Sequence, residues 1–168
     1  MNTKFGLIES EWKDDHKNLP SESDFDPYDG DLDAQHAWQE FGGLTRAEVL
    51  SNFWENPGHY SEDFMFMGFA AFAYYYPVIE RFLCEESNSV DFSHRYAWVM
   101  GESILYHFEG SDVSCPSWLA ERLLTLSENV SGNVARYSFD DADRDRINDA
   151  WSRLAATVKA LATPQSHS

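Results

Sequence analysis

The stretch from Phe64 to Leu83, FMFMGFAAFAYYYPVIERFL, constrains this chain most. Residues 64–79 carry no charged side chain, with Asp63 on one side and Glu80 and Arg81 on the other. A membrane-crossing helix needs about 20 apolar residues. This run is shorter and charged at both ends, so it reads as a buried core segment. Phe66, Phe69, Phe72 and Tyr76 recur at spacings of three and four, which suits one helix face. Gly68, Ala70, Ala71 and Ala73 lie between them and would let neighbours approach closely. Tyr74, Tyr75 and Tyr76 favour strand by propensity, but the alanines and methionines favour helix. Ser61 is a candidate N-cap, followed by Glu62 and Asp63 in the first turn. Pro77 should act as a joint, with a second helix from Val78 to about Glu85. The tyrosine rings are expected inside the core and their hydroxyls at its rim, because a buried hydroxyl needs a partner.

The flanking sequence supplies helices to surround that segment. Phe5, Ile8 and Trp12 suggest a short helix over residues 5–19, ended by Pro20. Residues 21–33, rich in Ser, Asp, Pro and Gly, read as a loop. Asp31 or Asp33 can cap a helix from Ala34 to Phe41, which Gly42 and Gly43 terminate. Thr45 and Glu48 form a capping box ahead of Val49, Leu50, Phe53 and Trp54, and Asn56-Pro57-Gly58 closes that helix. Ser93 can cap a helix from His94 to Phe108, on which Tyr96, Met100, Ile104 and Phe108 step by four. Pro116 suits the first position of a helix lined by Leu119, Leu123, Leu126 and Val130. Val134 to Phe139 is the one piece that reads as strand. The last helix, about Asp140 to Ala162, places Ile147, Ala150, Trp151, Leu154, Val158 and Leu161 on one stripe. The fold class expected is all-α: an irregular single-domain bundle of six or seven helices around the aromatic one.

A length of 168 residues is expected to form one domain, with an acidic, partly irregular segment over residues 1–33 and a frayed tail over 163–168. Twelve Phe, eight Tyr and six Trp supply core enough to exclude global disorder. The chain holds 29 acidic and 12 basic residues, a formal charge of −17. Residues 1–63 account for 15 acidic and 4 basic side chains, a net −11. Such a field repels phosphate backbones and attracts basic surfaces, so direct nucleic-acid binding is disfavoured and a basic protein partner is allowed, with simple solubility the plainer reading of the charge. Cys84 and Cys115 make no disulfide framework. With no signal-like N-terminus and no spanning segment, a cytoplasmic location and no membrane partner are expected. The sequence leaves the oligomeric state open.

The loop around Gly30 fails as an EF-hand. With Gly30 at the sixth position, Phe25 and Pro27 stand where acids are required and only Asp29 fits. An irregular calcium site is the sharper reading of these carboxylates and a solvated acidic loop the plainer one. Between them lies a partner-binding loop: Phe25 and Tyr28 as aromatic anchors among Asp24, Asp26, Asp29, Asp31 and Asp33. Asp33-x-x-His36 and Asp91-x-x-His94 resemble half of a di-metal carboxylate motif, but helix capping explains both aspartates more simply. Cys115 stands next to a helix start, which can lower a thiol pKa, but an inert lone thiol is the plainer reading. No GxGxxG, P-loop, GxSxG or HExxH pattern occurs, so no cofactor is expected and the weight falls on a non-enzyme.

Phe41-Gly42-Gly43-Leu44-Thr45 leading into a helix, followed by Phe72 to Pro77, resembles a pattern in small uncharacterised bacterial helical proteins, some of which accompany secreted toxins as immunity proteins. The likeness covers residues 41–83 and carries no catalytic residue. The function it and the charge imply is a protein-binding module, an immunity protein that blocks a basic toxin. Asp24, Asp26, Asp29, Asp31 and Asp33 would steer the partner, and Phe25 and Tyr28 would dock it. The alternatives are a metal-dependent or carboxylate-based enzyme using His36 or His94, and a DNA mimic.

Overall fold

The computed structural model describes residues 12, 17–25, 31–86, 89–110 and 113–162. All regular structure among them is helical. The chain falls into two compact units, residues 1–91 and 92–168, a finer partition than the one domain that length suggests. The expected helix at 5–19 and the tail at 163–168 lie largely outside the described residues.

In the first unit the helices are α1 (Glu22–Phe25), α2 (Leu32–Phe41), α3 (Arg46–Glu55), α4 (Pro57–Tyr60), α5 (Asp63–Phe66) and α6 (Phe69–Cys84). Local chemistry sets several boundaries. Asp31 caps α2 by accepting from the amides of Asp33 and Ala34. Thr45 and Glu48 close a complete capping box on α3. Gly42 ends α2 because a Cβ there would stand 2.5 Å from the Trp38 carbonyl oxygen, and Gly43 follows with φ +77°.

The central stretch departs from expectation in two ways. It breaks at Met67-Gly68, before which α5 is a single turn, and Gly68 rather than Ser61 stands at the start of α6. The Ser61 hydroxyl instead donates to the Pro57 carbonyl. Pro77 is no joint, because α6 runs through it from Phe69 to Cys84. An interior proline costs about 3 kcal/mol. Tyr75, Tyr76, Val78 and Ile79 around it are all fully buried, and burying such a side chain contributes about 1.5–3 kcal/mol each. Packing therefore outweighs the break. The Arg46 guanidinium also donates to the Tyr74 carbonyl three residues before the proline, at 2.6 Å, and lies 4.1 Å over the Tyr74 ring.

The core is an aromatic cluster. Phe41 meets Phe53, Phe64 and Tyr75, and Phe53 meets Phe82 at 5.3 Å between centroids. Tyr75 is not a rim residue. It is fully buried, and its hydroxyl lies 3.0 Å and 2.7 Å from the carbonyls of Phe41 and Leu44, to which it donates. It thereby ties the Phe41 carbonyl at the end of α2 to the Leu44 carbonyl of the turn that follows.

The second unit holds a 3₁₀ turn (Phe92–His94), α7 (Ala97–Tyr106), α8 (Ser117–Gly132), α9 (Val134–Tyr137) and α10 (Asp141–Ala162). α10 packs on α7 and α8 through its expected stripe: Ile147, Ala150, Trp151, Leu154 and Val158 are buried. Leu119, Leu123, Leu126 and Val130 of α8 are buried as their spacing indicates. Trp151 is fully buried, its indole donating to the Ala97 carbonyl at 2.8 Å. Gly101 makes that fit possible, since a Cβ there would sit 2.9 Å from the Trp151 indole nitrogen. The strand reading of Val134–Phe139 is wrong. Val134 to Tyr137 form a helical turn, and Tyr137 is buried with its ring edge-on to Phe92. No described strand exists for it to pair with.

Candidate functional site

The acidic segment does not present the surface its sequence suggests. Phe25 is fully buried, 5.2 Å from the Trp38 ring and 6.1 Å from Tyr75, and its carbonyl accepts from the Gly68 amide. It is a core residue and is withdrawn as a docking anchor. Asp24 folds back to accept from the Ser21 amide and hydroxyl. Asp31 is spent on its cap, while Asp33 is exposed on the first turn of α2. Asp26, Tyr28 and Asp29 lie outside the described residues.

The two Asp-x-x-His patterns do not act as pairs. His36 turns instead to Asp63 of α5, with Nδ1 3.2 Å from Oδ1. Its Nε2 lies 3.7 Å from Glu40, whose other oxygen is 3.2 Å from His59 Nε2. Asp63 is buried, and its Oδ2 has no hydrogen-bond partner among the described residues. Burial pushes its pKa up, against the lowering effect of the His36 hydrogen bond and charge. His94 stands edge-on to Phe139 at 5.0 Å. Among the described residues, no three His, Cys, Asp or Glu side chains are arranged to hold a metal ion. At Cys115 desolvation pushes the thiol pKa up to about 11, so burial outweighs the nearby helix start.

A concavity among the described residues lies in the second unit. A cleft of about 320 Å³ opens where the 3₁₀ turn, the start of α7 and the first turns of α10 meet. The aromatic residues His94, Tyr96, Trp98, Tyr137 and Phe139 line it, together with Ala97, Val99 and Ile147. Ser93, Asp140, Asp143 and Arg146 supply the polar groups. The carboxylates are fixed by capping α10. Asp140 accepts from the Asp143 amide at 2.7 Å, and Asp143 accepts from the Phe139 amide at 3.0 Å. Arg146 lies 4.8 Å over the Trp98 ring and 3.9 Å from Asp143.

Tyr96 sets the shape of this cleft. Its φ and ψ of 55° and 42° are left-handed, and no other described non-glycine residue has positive φ. Such a conformation costs a side-chain-bearing residue about 1–2 kcal/mol. The neighbours impose it. Arg95 is fully buried, stacked 3.8 Å over Phe92, and Ala97 is buried with its carbonyl bonded to Trp151. The backbone must turn outward between them, leaving Tyr96 46% exposed. Trp98 and Phe139 are exposed beside it, at 36% and 65%.

This corrects the periodicity that places Tyr96 on the buried face of a helix from His94 capped by Ser93. The helix starts at Ala97, and the Ser93 hydroxyl faces His94 rather than a backbone amide. Sequence reasoning passed over Trp98, Phe139, Asp140, Asp143 and Arg146 as site residues. The signal present was aromatic residues abutting the charged run DDADRDR at residues 140–146. Compared with known protein families, curated proteins and solved structures, the chain matches none.

Proposed function

We propose that this chain is a protein-binding module for a basic partner, and that the partner docks on the aromatic cleft of the second unit. The observation that carries the reading is the exposure of Tyr96, Trp98 and Phe139 around one concavity rimmed by Asp140 and Asp143. Exposed aromatics in a partly desolvated pocket are the residues that dominate binding energy at interfaces. The charge of −17 supports a basic partner, because it speeds encounter with positive surfaces. The acidic residues 24–33 steer in this reading, and the anchoring falls to the cleft in place of Phe25. The resemblance over residues 41–83 would make the partner a secreted toxin and this chain its immunity protein.

The test is capture of a basic protein by the immobilised chain, beside a Trp98→Ala/Phe139→Ala variant and an Asp140→Asn/Asp143→Asn variant. The aromatic variant should lose capture at every salt concentration. The neutralised variant should bind more slowly and with weaker salt dependence. Capture that neither variant alters sinks the reading.

A further inference from the structure

We infer that the cleft is a receptor for a single arginine or lysine side chain of the partner, and that Tyr96 is held in its left-handed conformation to form one wall of it. The inference rests on the reading that this cleft docks a basic protein.

Three observations carry it further. The first is the residue at the strained position. Glycine adopts these dihedrals freely. A tyrosine stands there with nearly half its surface in water. It is one of the residues that line the cleft, and it is not part of the buried core. The second is that the cleft already holds one cation, since Arg146 of this chain lies over the Trp98 ring. Aromatic faces attract guanidinium and ammonium groups, and an aromatic-walled cleft suits them. The third is the placement of charge. Asp143 approaches Arg146 at 3.9 Å and offsets it. Asp140 gives Oδ1 to its helix cap, and its Oδ2 has no partner among the described residues. An incoming cation would meet the rings of Tyr96 and Phe139 and that oxygen. An anion would meet that carboxylate, and the Arg146 guanidinium that could receive it already lies against Asp143 and over Trp98.

The experiment is an NMR titration of the full chain with acetyl-Gly-Arg-Gly-amide, its citrulline counterpart and its glutamate counterpart. Citrulline keeps the shape of arginine and removes the charge. The arginine peptide should shift the Trp98 indole N–H and the Tyr96 and Asp140 amides in a saturable way. Citrulline should bind at least ~5-fold more weakly, the equivalent of a modest cation–π contact. Asp140→Asn, which remains a competent cap, should weaken the arginine peptide and leave Tm unchanged. Tyr96→Gly should abolish peptide binding and leave the chain folded, because relief of the left-handed strain offsets the extra unfolded-state freedom of glycine. The receptor is overturned if the arginine peptide moves no cleft resonance, or if citrulline or glutamate binds as well. A Tyr96→Gly protein that keeps its affinity overturns the role of Tyr96. Capture of a basic protein lost in the Trp98→Ala/Phe139→Ala variant, together with a silent peptide titration, would uphold the docking reading and reject the single-side-chain receptor.

Discussion

The two units differ in how they treat charge and aromatic surface. Residues 1–91 carry 19 acidic and 5 basic side chains, a net −14, and pack Phe25, Phe41, Phe53, Phe64, Phe72, Tyr75 and Phe82 out of water. Residues 92–168 carry 10 and 7, a net −3, and leave Tyr96, Trp98, Tyr106, Trp118 and Phe139 exposed. Under the proposed reading, long-range attraction and short-range adhesion would sit on different stretches of chain. That division is physically sensible. Steering acts over a Debye length of about 10 Å and tolerates imprecise placement, whereas docking needs rings held in place by a rigid frame.

The frame of the second unit is the most vulnerable point of that contrast. Trp151→Ala should cost about 3–5 kcal/mol by urea unfolding, since it empties a fully buried site and frees the Ala97 carbonyl beside Tyr96. Gly101→Ala should cost about 1–3 kcal/mol, because the added Cβ meets the Trp151 indole at 2.9 Å. If Gly101→Ala is neutral, the contact between α7 and α10 is looser than the geometry indicates.

The first unit is tested through its polar groups. Tyr75→Phe should cost about 1–2 kcal/mol, because it strips a buried donor from the carbonyls of Phe41 and Leu44 and leaves the ring in place. Thr45→Ala should cost about 1 kcal/mol by opening the capping box.

The smallest effect is a pH dependence. Burial raises the Asp63 pKa, so the folded chain keeps that proton to higher pH than the unfolded chain, whose aspartate releases it near about 3.9. The stability this contributes is present below the unfolded value and is lost as pH rises through the folded one. The stability of the wild type relative to Asp63→Asn should therefore decline as pH climbs above ~4. Urea unfolding across a pH series checks this. A difference that grows with pH would mean that His36 outweighs burial.

Much of the helical framework was legible in the chain. The Asp31 cap, the Thr45–Glu48 box, the stop at Gly42-Gly43 and the α10 stripe each depend on residues within about four positions of one another. The candidate site was not legible, because Tyr96 and Phe139 are 43 residues apart and share a cleft only after α10 has packed on α7. Periodicity even pointed the wrong way for Tyr96, whose step of four to Met100 matches a helix that begins one residue later.

The sequence by itself determined the helical class, the capped starts of α2 and α3 and the sign and placement of charge, because short-range hydrogen bonds, apolar spacing and ionisation are local properties. The tertiary structure decided which aromatics face water. Phe25 sits among acids and looks exposed, yet the rings of Trp38 and Tyr75 enclose it. Pro77 looks like a break, yet the burial around it carries α6 through. Tyr96 looks like core, yet burial of Arg95 and Ala97 on either side turns it outward. In each case the free energy of packing distant residues exceeded a local preference of about 1–3 kcal/mol.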